Sequence, residues 1–304
     1  MILITKKIVV FCILLFPSLF SYSNTDRVYG TVKNDEGKPI DLCVIKAANS
    51  NHATYSNQRG EFSLEYDADS THSVILFCMG YETKEVSIGG DTLRVVLKRK
   101  ANKLNDVVVS ADQDRGKIKQ GLLGKKNLKP FGICTGDTGN EWAIYLATDS
   151  SRHGLLENIY FYITDEGIPD SRFRVHVYDI DSDYMPGNDL MDSTVIIHAK
   201  EGNEWISADV GSRHIPVGRG VFISMEWISG YGNNPALVTS KKFPAQPAFN
   251  GQVLAGTEGY HKQFSLCYVR RNINRPWKYL VMAGNARRNV VNPMIYATYT
   301  YRKK

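Results

Sequence analysis

The sequence predicts an all-β protein built from two successive β-sandwiches, a small one and a larger one. Three observations predict it. Short runs of alternating apolar and polar residues recur along the chain, turn-forming Gly, Asn, Asp and Pro separate them, and no stretch shows helical period. A basic segment poor in apolar residues, near 101–130, divides the two sets of runs.

The first residues read as an address. Lys6 and Lys7 form a positive region, Ile8 to Leu15 is an unbroken apolar run, and Ser21-Tyr22-Ser23 supplies small residues for cleavage. Residues 1–23 are therefore expected to be a signal peptide, too short in its apolar core to span a bilayer. Cys12 lacks the small residues that precede a lipoprotein cysteine. The expectation is an exported chain without a membrane span, periplasmic or associated with an outer membrane.

Residues 24–100 supply the first sandwich. Val28–Val32, Leu42–Ala47, Glu61–Tyr66, Ser73–Cys78, Glu82–Ile88 and Thr92–Leu97 alternate as half-buried strands do. Asp35-Glu36-Gly37 and Asn57-Gln58-Arg59-Gly60 are turn sequences, because Gly and Asn tolerate the backbone angles that tight turns need. With 43% hydrophobic residues and 17 tyrosines, the chain has the apolar material for a packed core, which excludes a disordered protein.

Four motifs then carry a resemblance: Gly30-Thr31-Val32, Gly37-Lys38-Pro39-Ile40, the run Tyr55-Ser56-Asn57-Gln58-Arg59-Gly60-Glu61-Phe62-Ser63-Leu64, and Met79-Gly80-Tyr81. In this order they resemble the carboxypeptidase-regulatory-like domain, which implies a transthyretin-like sandwich of the kind that begins many Bacteroidetes envelope proteins. Arg59 departs from the acidic residue usual there. The resemblance implies no peptidase activity, since that domain accompanies a separate catalytic domain, and the sequence has no His-Glu-x-x-His zinc motif. Leu104 to Ala111 resembles the stretch that follows the domain in TonB-dependent receptors. The remaining chain is much too short for a 22-stranded barrel, so pairing as an edge strand is the expected role, with contact to another envelope protein as the alternative.

From Lys98 to Lys129 ten Lys or Arg face three Asp, an excess of +7 in a chain whose total is +6. Removing Lys6 and Lys7 leaves about +4, so the rest of the chain is slightly acidic, which argues against a nucleic-acid surface. Residues 101–130 read as a basic linker with a possible edge strand; its charge suits either an anionic surface or solvent.

Residues 131–304 predict the larger sandwich, jelly-roll-like in its strand spacing. In Arg172–Asp179, Phe173, Val175 and Val177 share one face while Arg174, His176 and Tyr178 share the other. In Val221–Trp227, Val221, Ile223, Met225 and Trp227 form the inner set, with Ser224 and Glu226 opposite. Further strands are expected at Asn158–Ile163, Ser193–Ala199, Gln263–Val269, Tyr279–Ala283 and Met294–Tyr301. The stretch Glu157 to Ser229 is similar to a domain that follows the regulatory-like module in other envelope proteins, and that similarity implies no activity.

Candidate functional residues fall in three sets. Asp179, Asp181 and Asp183 resemble the start of a calcium loop, but Tyr184 and Leu190 stand where an EF-hand needs Gly and Glu. Calcium and simple turn formation are the competing readings. Trp205, Tyr231, Asn233, Asn234, Arg275 and Trp277 offer flat rings with amide and guanidinium groups, the chemistry of sugar recognition, against ordinary sandwich packing. Catalysis has the weakest support: no serine-nucleophile elbow or phosphate loop is present, and Glu226 with Asp209 is a carboxylate pair only if the strands bring them together. Cys43, Cys78, Cys134 and Cys267 are spaced unlike a disulfide framework. Their apolar surroundings favour buried free thiols over a Cys43–Cys78 bridge. The sequence thus points to a non-catalytic envelope protein binding a glycan or an envelope component, with a structural accessory subunit or a carbohydrate-active hydrolase as alternatives. No cofactor besides calcium is implied.

Overall fold

The structure, a computed structural model, describes residues 24–50, 52–100, 115–122, 132–133, 139–148, 154–165, 169–228, 238–239, 247–248, 255–261, 267–270, 275–280, 282–283 and 290–302. Residues 1–23, Leu104 to Ala111, Cys134, Tyr231, Asn233 and Asn234 lie outside them. The protein is all-β. Among the described residues the one helical turn is a 3-10 turn at Gly211–Arg213, and no helix is long and apolar enough to cross a membrane.

The first sandwich uses β1 (Thr25–Asn34), β2 (Val44–Ala47), β3 (Ala53–Tyr55), β4 (Glu61–Asp67), β5 (Ser73–Phe77), β6 (Lys84–Ser87) and β7 (Thr92–Leu97). One sheet has the order β4-β1-β7 and the other β3-β2-β5-β6. The alternation does its expected work: Phe62, Leu64 and Tyr66 of β4 point inward with Val28 and Val32 of β1, and Ile45, Val74 and Leu76 close the core from the other sheet. Gly30 is required by packing, because a Cβ there would lie 2.4 Å from the Phe62 ring on the paired strand. The short strand β3, which escaped the sequence pattern, brings Tyr55 to the edge of its sheet.

The second sandwich begins earlier than the sequence suggests. Within the expected linker, β8 (Arg115–Gly121) pairs antiparallel with the C-terminal strand β24 (Ile295–Arg302), from Gly121 opposite Tyr296 to Arg115 opposite Arg302. Ile118 packs on the core while Lys117 and Lys119 face out. Lysines on the last strand of a sheet discourage further pairing, so the basic composition marks a protected edge.

Between these strands run β9 (Gly132–Ile133), β10 (Glu141–Ala147), β11 (Gly154–Ile163), β12 (Phe173–Ile180), β13 (Pro186–Asp189), β14 (Val195–Ile197), β15 (Glu204–Asp209) and β16 (Gly220–Trp227). Then come β17 (Val238–Thr239), β18 (Pro247–Ala248), β19 (Ala255–His261), β20 (Cys267–Arg270), β21 (Lys278–Tyr279), β22 (Met282–Ala283) and β23 (Val290–Pro293). One sheet follows β13-β12-β16-β10-β20-β21, and the other follows β22-β23-β19-β11-β24-β8 with β15 beside β11. Phe173, Val175, Val177, Val221, Ile223, Met225 and Trp227 all enter the core between them, as their alternation requires.

The two sandwiches touch. Met79, in the turn after β5, is buried in the core of the second sandwich. Beside it Gly80 has φ +80°, and a Cβ there would lie 2.0 Å from the carbonyl oxygen of Asp192. Gly80→Ala is therefore expected to lower stability by about 1–3 kcal/mol through overpacking and left-handed backbone strain, read as a lower Tm.

Candidate functional site

Two outer faces of the second sandwich carry the polar chemistry, one closed and one open. On the closed face, strand register builds a row across four strands: Arg174 of β12 lies opposite Glu226 of β16, Glu226 opposite Glu141 of β10, and Glu141 opposite Arg270 of β20. Period-two alternation sends these side chains away from the hydrophobic core, yet Arg174, Glu226 and Glu141 are at most 2% exposed. The first sandwich covers part of this row. The Tyr55 hydroxyl donates to Glu226 Oε1 at 2.7 Å, and Arg174 Nη2 donates to the Leu42 carbonyl at 2.5 Å. The Arg174 guanidinium also lies 5.6 Å from the Tyr55 ring centroid.

His176 joins the row from the next outward position of β12. Its Nδ1 lies 2.6 Å from Asp189 Oδ2 and its Nε2 2.9 Å from Glu226 Oε2. Burial disfavours its protonated form, but the charges of Glu141 and Asp189 and both hydrogen bonds outweigh this and raise its pKa to about 9. Burial likewise opposes the Glu226 charge; Arg174 and His176 overcome it and hold that carboxyl well below the usual range. Glu141 accepts from Ser224 and Arg270, and from the Tyr178 hydroxyl at 2.7 Å. Arg270 Nη2 donates to Tyr178 Oη at 2.6 Å, and Trp277 caps the guanidinium, 4.5 Å from ring centroid to Cζ. With His176 protonated, Arg174, His176 and Arg270 balance Glu141, Asp189 and Glu226.

This cluster resembles catalytic machinery in composition and differs in access. Both oxygens of Glu226 are occupied by protein donors, and its side chain is buried beneath the first sandwich. The pair proposed from sequence does not assemble: Asp209 lies opposite Asn158 on the other sheet, is exposed, and accepts from the Gly211 N–H at 2.9 Å. Glu226 and Asp209 point from opposite outer faces of the sandwich, because each belongs to a different sheet.

The open face belongs to the second sheet. On β15 Trp205 points outward and lies opposite Tyr162 of β11, while Tyr160 lies opposite Tyr296 of β24. The Tyr160 and Tyr296 rings stack at 4.3 Å and 9°, and Trp205 meets Tyr296 edge-on at 4.8 Å and Tyr162 at 5.4 Å. Tyr160, Tyr162 and Trp205 remain half-buried. Lys119 extends over the Tyr296 ring, 4.1 Å from its centroid. Asn158, Ser207, Asp209 and Thr298 lie in the adjoining outward register positions, giving the rings a polar border.

The sugar-binding set read from sequence is therefore divided. Trp205 lies on the open face and Trp277 over the charge row on the other. Arg275 is exposed beside the interface, where burial and then its charge lower the pKa of Lys46 in the first sandwich. Tyr160, Tyr162 and Tyr296 were missed, although Tyr160 and Tyr162 alternate with Ile159, Phe161 and Ile163 and so announce an aromatic outer face. Glu141 was missed with its strand, despite the clear alternation of Trp142, Ile144 and Leu146.

The acid-rich turn is engaged internally. Asp179 Oδ1 accepts from the Asn188 N–H at 2.6 Å, and Asp181 Oδ1 from those of Asp183 and Met185 at 2.9 and 2.8 Å. Among the described residues no group of three or more His, Cys, Asp or Glu is placed to hold a metal ion.

The first sandwich carries the features that the four sequence motifs imply. Residues 28–109 match the CarboxypepD_reg-like domain. The second sandwich lies beyond that match. No curated protein matches the chain. Among solved structures, a streptococcal ancillary pilin is similar at 10% identity and TM-score 0.21, covering 62% of this chain and 51% of the pilin, so the chain spans about half of that protein's length. Two structures of BcpA, the major pilin subunit of Bacillus cereus, are similar at 11% and 10% identity with TM-scores of 0.18 and 0.17. Each alignment covers 88% of this chain and 69% of BcpA.

Proposed function

We propose that the protein is an exported, non-catalytic component of the cell envelope that binds a glycan on the open aromatic face of its second sandwich. The observation that carries this reading is the placement of Tyr160, Tyr162 and Trp205 on the solvent side of one sheet, packed around the buried ring of Tyr296. Half-exposed rings provide stacking area for the apolar faces of sugar rings, and the bordering hydroxyl, amide, carboxylate and ammonium groups suit sugar hydroxyls. The export pattern of residues 1–23 and the CarboxypepD_reg-like domain support placement in the envelope.

The buried charge row supports a non-catalytic protein, since its carboxylates are engaged by protein donors and Glu141 and Glu226 are almost fully buried. It also favours a second reading, a structural accessory whose first sandwich is held rigidly to the second to present a fixed surface to another envelope protein.

A glycan array probed with the full mature chain, with and without calcium, separates these readings. Binding is expected to weaken about tenfold or more in Trp205→Ala, because a stacking ring is lost, and to be unchanged in Trp277→Ala. Dependence on calcium would move the site to the turn of Asp179, Asp181 and Asp183. An array with no bound glycan, together with an envelope protein recovered by crosslinking, would establish the accessory reading instead. Glycan cleavage abolished by Glu226→Gln would establish a hydrolase.

A further inference from the structure

We propose that Cys43 and Cys78 form a disulfide during folding, and that this bond staples together the two chain segments on which the second sandwich is seated. The register of β2 with β5 places Val44 opposite Phe77 and Ile45 opposite Leu76. Continued by one residue, that register would set Cys43 against Cys78, and Cys43 Sγ lies 3.5 Å from the carbonyl oxygen of Phe77, the residue before Cys78. Directly opposed residues of an antiparallel pair hold their Cβ atoms near the separation that a disulfide spans. Both residues belong to the core of the first sandwich, at 0% and 3% exposure. The structure holds Cys43 and Cys78 as unbridged thiols, as the sequence reading favours, and a third buried cysteine, Cys267 on β20 of the other sandwich, likewise carries no disulfide.

The location gives the bond a consequence. Leu42, immediately before Cys43, offers its carbonyl to Arg174. Met79, immediately after Cys78, is buried in the second core, and Gly80 abuts Asp192. A bond between the two sulfurs would fix these docking segments to one another before the second sandwich closes over them.

The oxidant is a small-molecule or protein disulfide. One thiolate of the pair attacks a sulfur of that disulfide, whose S–S bond breaks and releases a first thiolate. The second thiolate then attacks the mixed disulfide, forming the Cys43–Cys78 bond and releasing a second thiolate. The two electrons pass to the oxidant, and the two protons end on its thiols. Burial of both sulfurs in the finished fold requires this exchange to precede docking.

The proposal depends on the export reading only for its cellular setting, so the test has two arms. In the first, the full mature chain is unfolded, reduced, and refolded with oxidised and reduced glutathione; free thiols are then alkylated under denaturing conditions and the digest is analysed by mass spectrometry. A linked peptide containing Cys43 and Cys78 is expected, with Cys267 alkylated and with a Tm several degrees above that of the reduced chain. The Cys43→Ala, Cys78→Ala double variant should lose the dependence of Tm on reductant, whereas Cys267→Ala should keep it. Full alkylation of Cys43 and Cys78, or pairing of either with Cys134 or Cys267, would overturn the proposal. In the second arm, the chain is recovered from its native cell and alkylated without reductant. A bond formed in vitro but absent there counts against export to an oxidising compartment and leaves the pairing intact.

Discussion

Arg174→Ala is expected to cost about 3–5 kcal/mol of stability, the usual penalty for removing one partner from a buried ion network. Arg174 is completely buried, lies 3.4 Å from Glu226, and reaches the Leu42 carbonyl of the other sandwich. Its loss leaves Glu141, Asp189 and Glu226 facing only His176 and Arg270, in a region from which water is largely excluded. The arginine also stands against the Tyr55 ring, so the same substitution loosens the contact between the sandwiches. A repair follows from the charge balance. Adding Glu226→Gln to Arg174→Ala removes the surplus negative charge and keeps an acceptor for Tyr55, so the double variant should be less destabilised than the sum of the two single ones. Urea unfolding of the four proteins measures this; an Arg174→Ala protein within about 0.5 kcal/mol of the parent would rule out a stabilising row.

Stability should also fall as pH rises from 6.5 to beyond 9. The folded protein raises His176 from 6.5 to about 9, so the protonated imidazole is favoured by the folded state. That contribution is complete below the unfolded value and disappears as pH passes the folded one, about 3 kcal/mol at most for a shift of this size. Glu226 acts in the opposite direction. Its carboxyl is held below the ordinary 4.5, so its contribution is present above that value and is lost on acidification. Maximum stability is therefore expected between about pH 5 and 6.5. Unfolding free energies at pH 6 and 9.5 provide the measurement, and His176→Gln should flatten the alkaline limb. An equally steep limb in that variant would assign the effect to other groups. The groups that face His176 are Asp189, Glu226, Glu141 and Tyr178, whose ring lies parallel to the imidazole at 5.5 Å.

Legibility differed between the two sandwiches for a physical reason. The first is short-range: its strands are joined by turns whose Gly and Asn residues are specified locally, and its motifs cover most of its length. Only β3 was missed, because three residues are too few to show a period. In the second, β12 and β16 were legible from alternation, and each expected inward residue reached the core. β8 was hidden because an exposed edge strand needs only one inward anchor, Ile118, and its lysines look like those of a linker. β10 was overlooked although its alternation was present.

The candidate sites show the sharper division. Sequence alone determined that Arg174, His176 and Glu226 leave the core face of their strands, because a strand sends successive side chains to opposite sides. It also determined the CarboxypepD_reg-like character of the first sandwich, whose signature residues are local. Only the tertiary structure decided which outward face meets water. The first sandwich, through Tyr55 and Leu42, covers Arg174 and Glu226, whereas Tyr160, Tyr162 and Trp205 stay half-buried on the other outer face, with Tyr296 buried among them. Alternation specifies a side of a sheet, and burial of that side depends on contacts between residues more than a hundred positions apart, which no local pattern encodes.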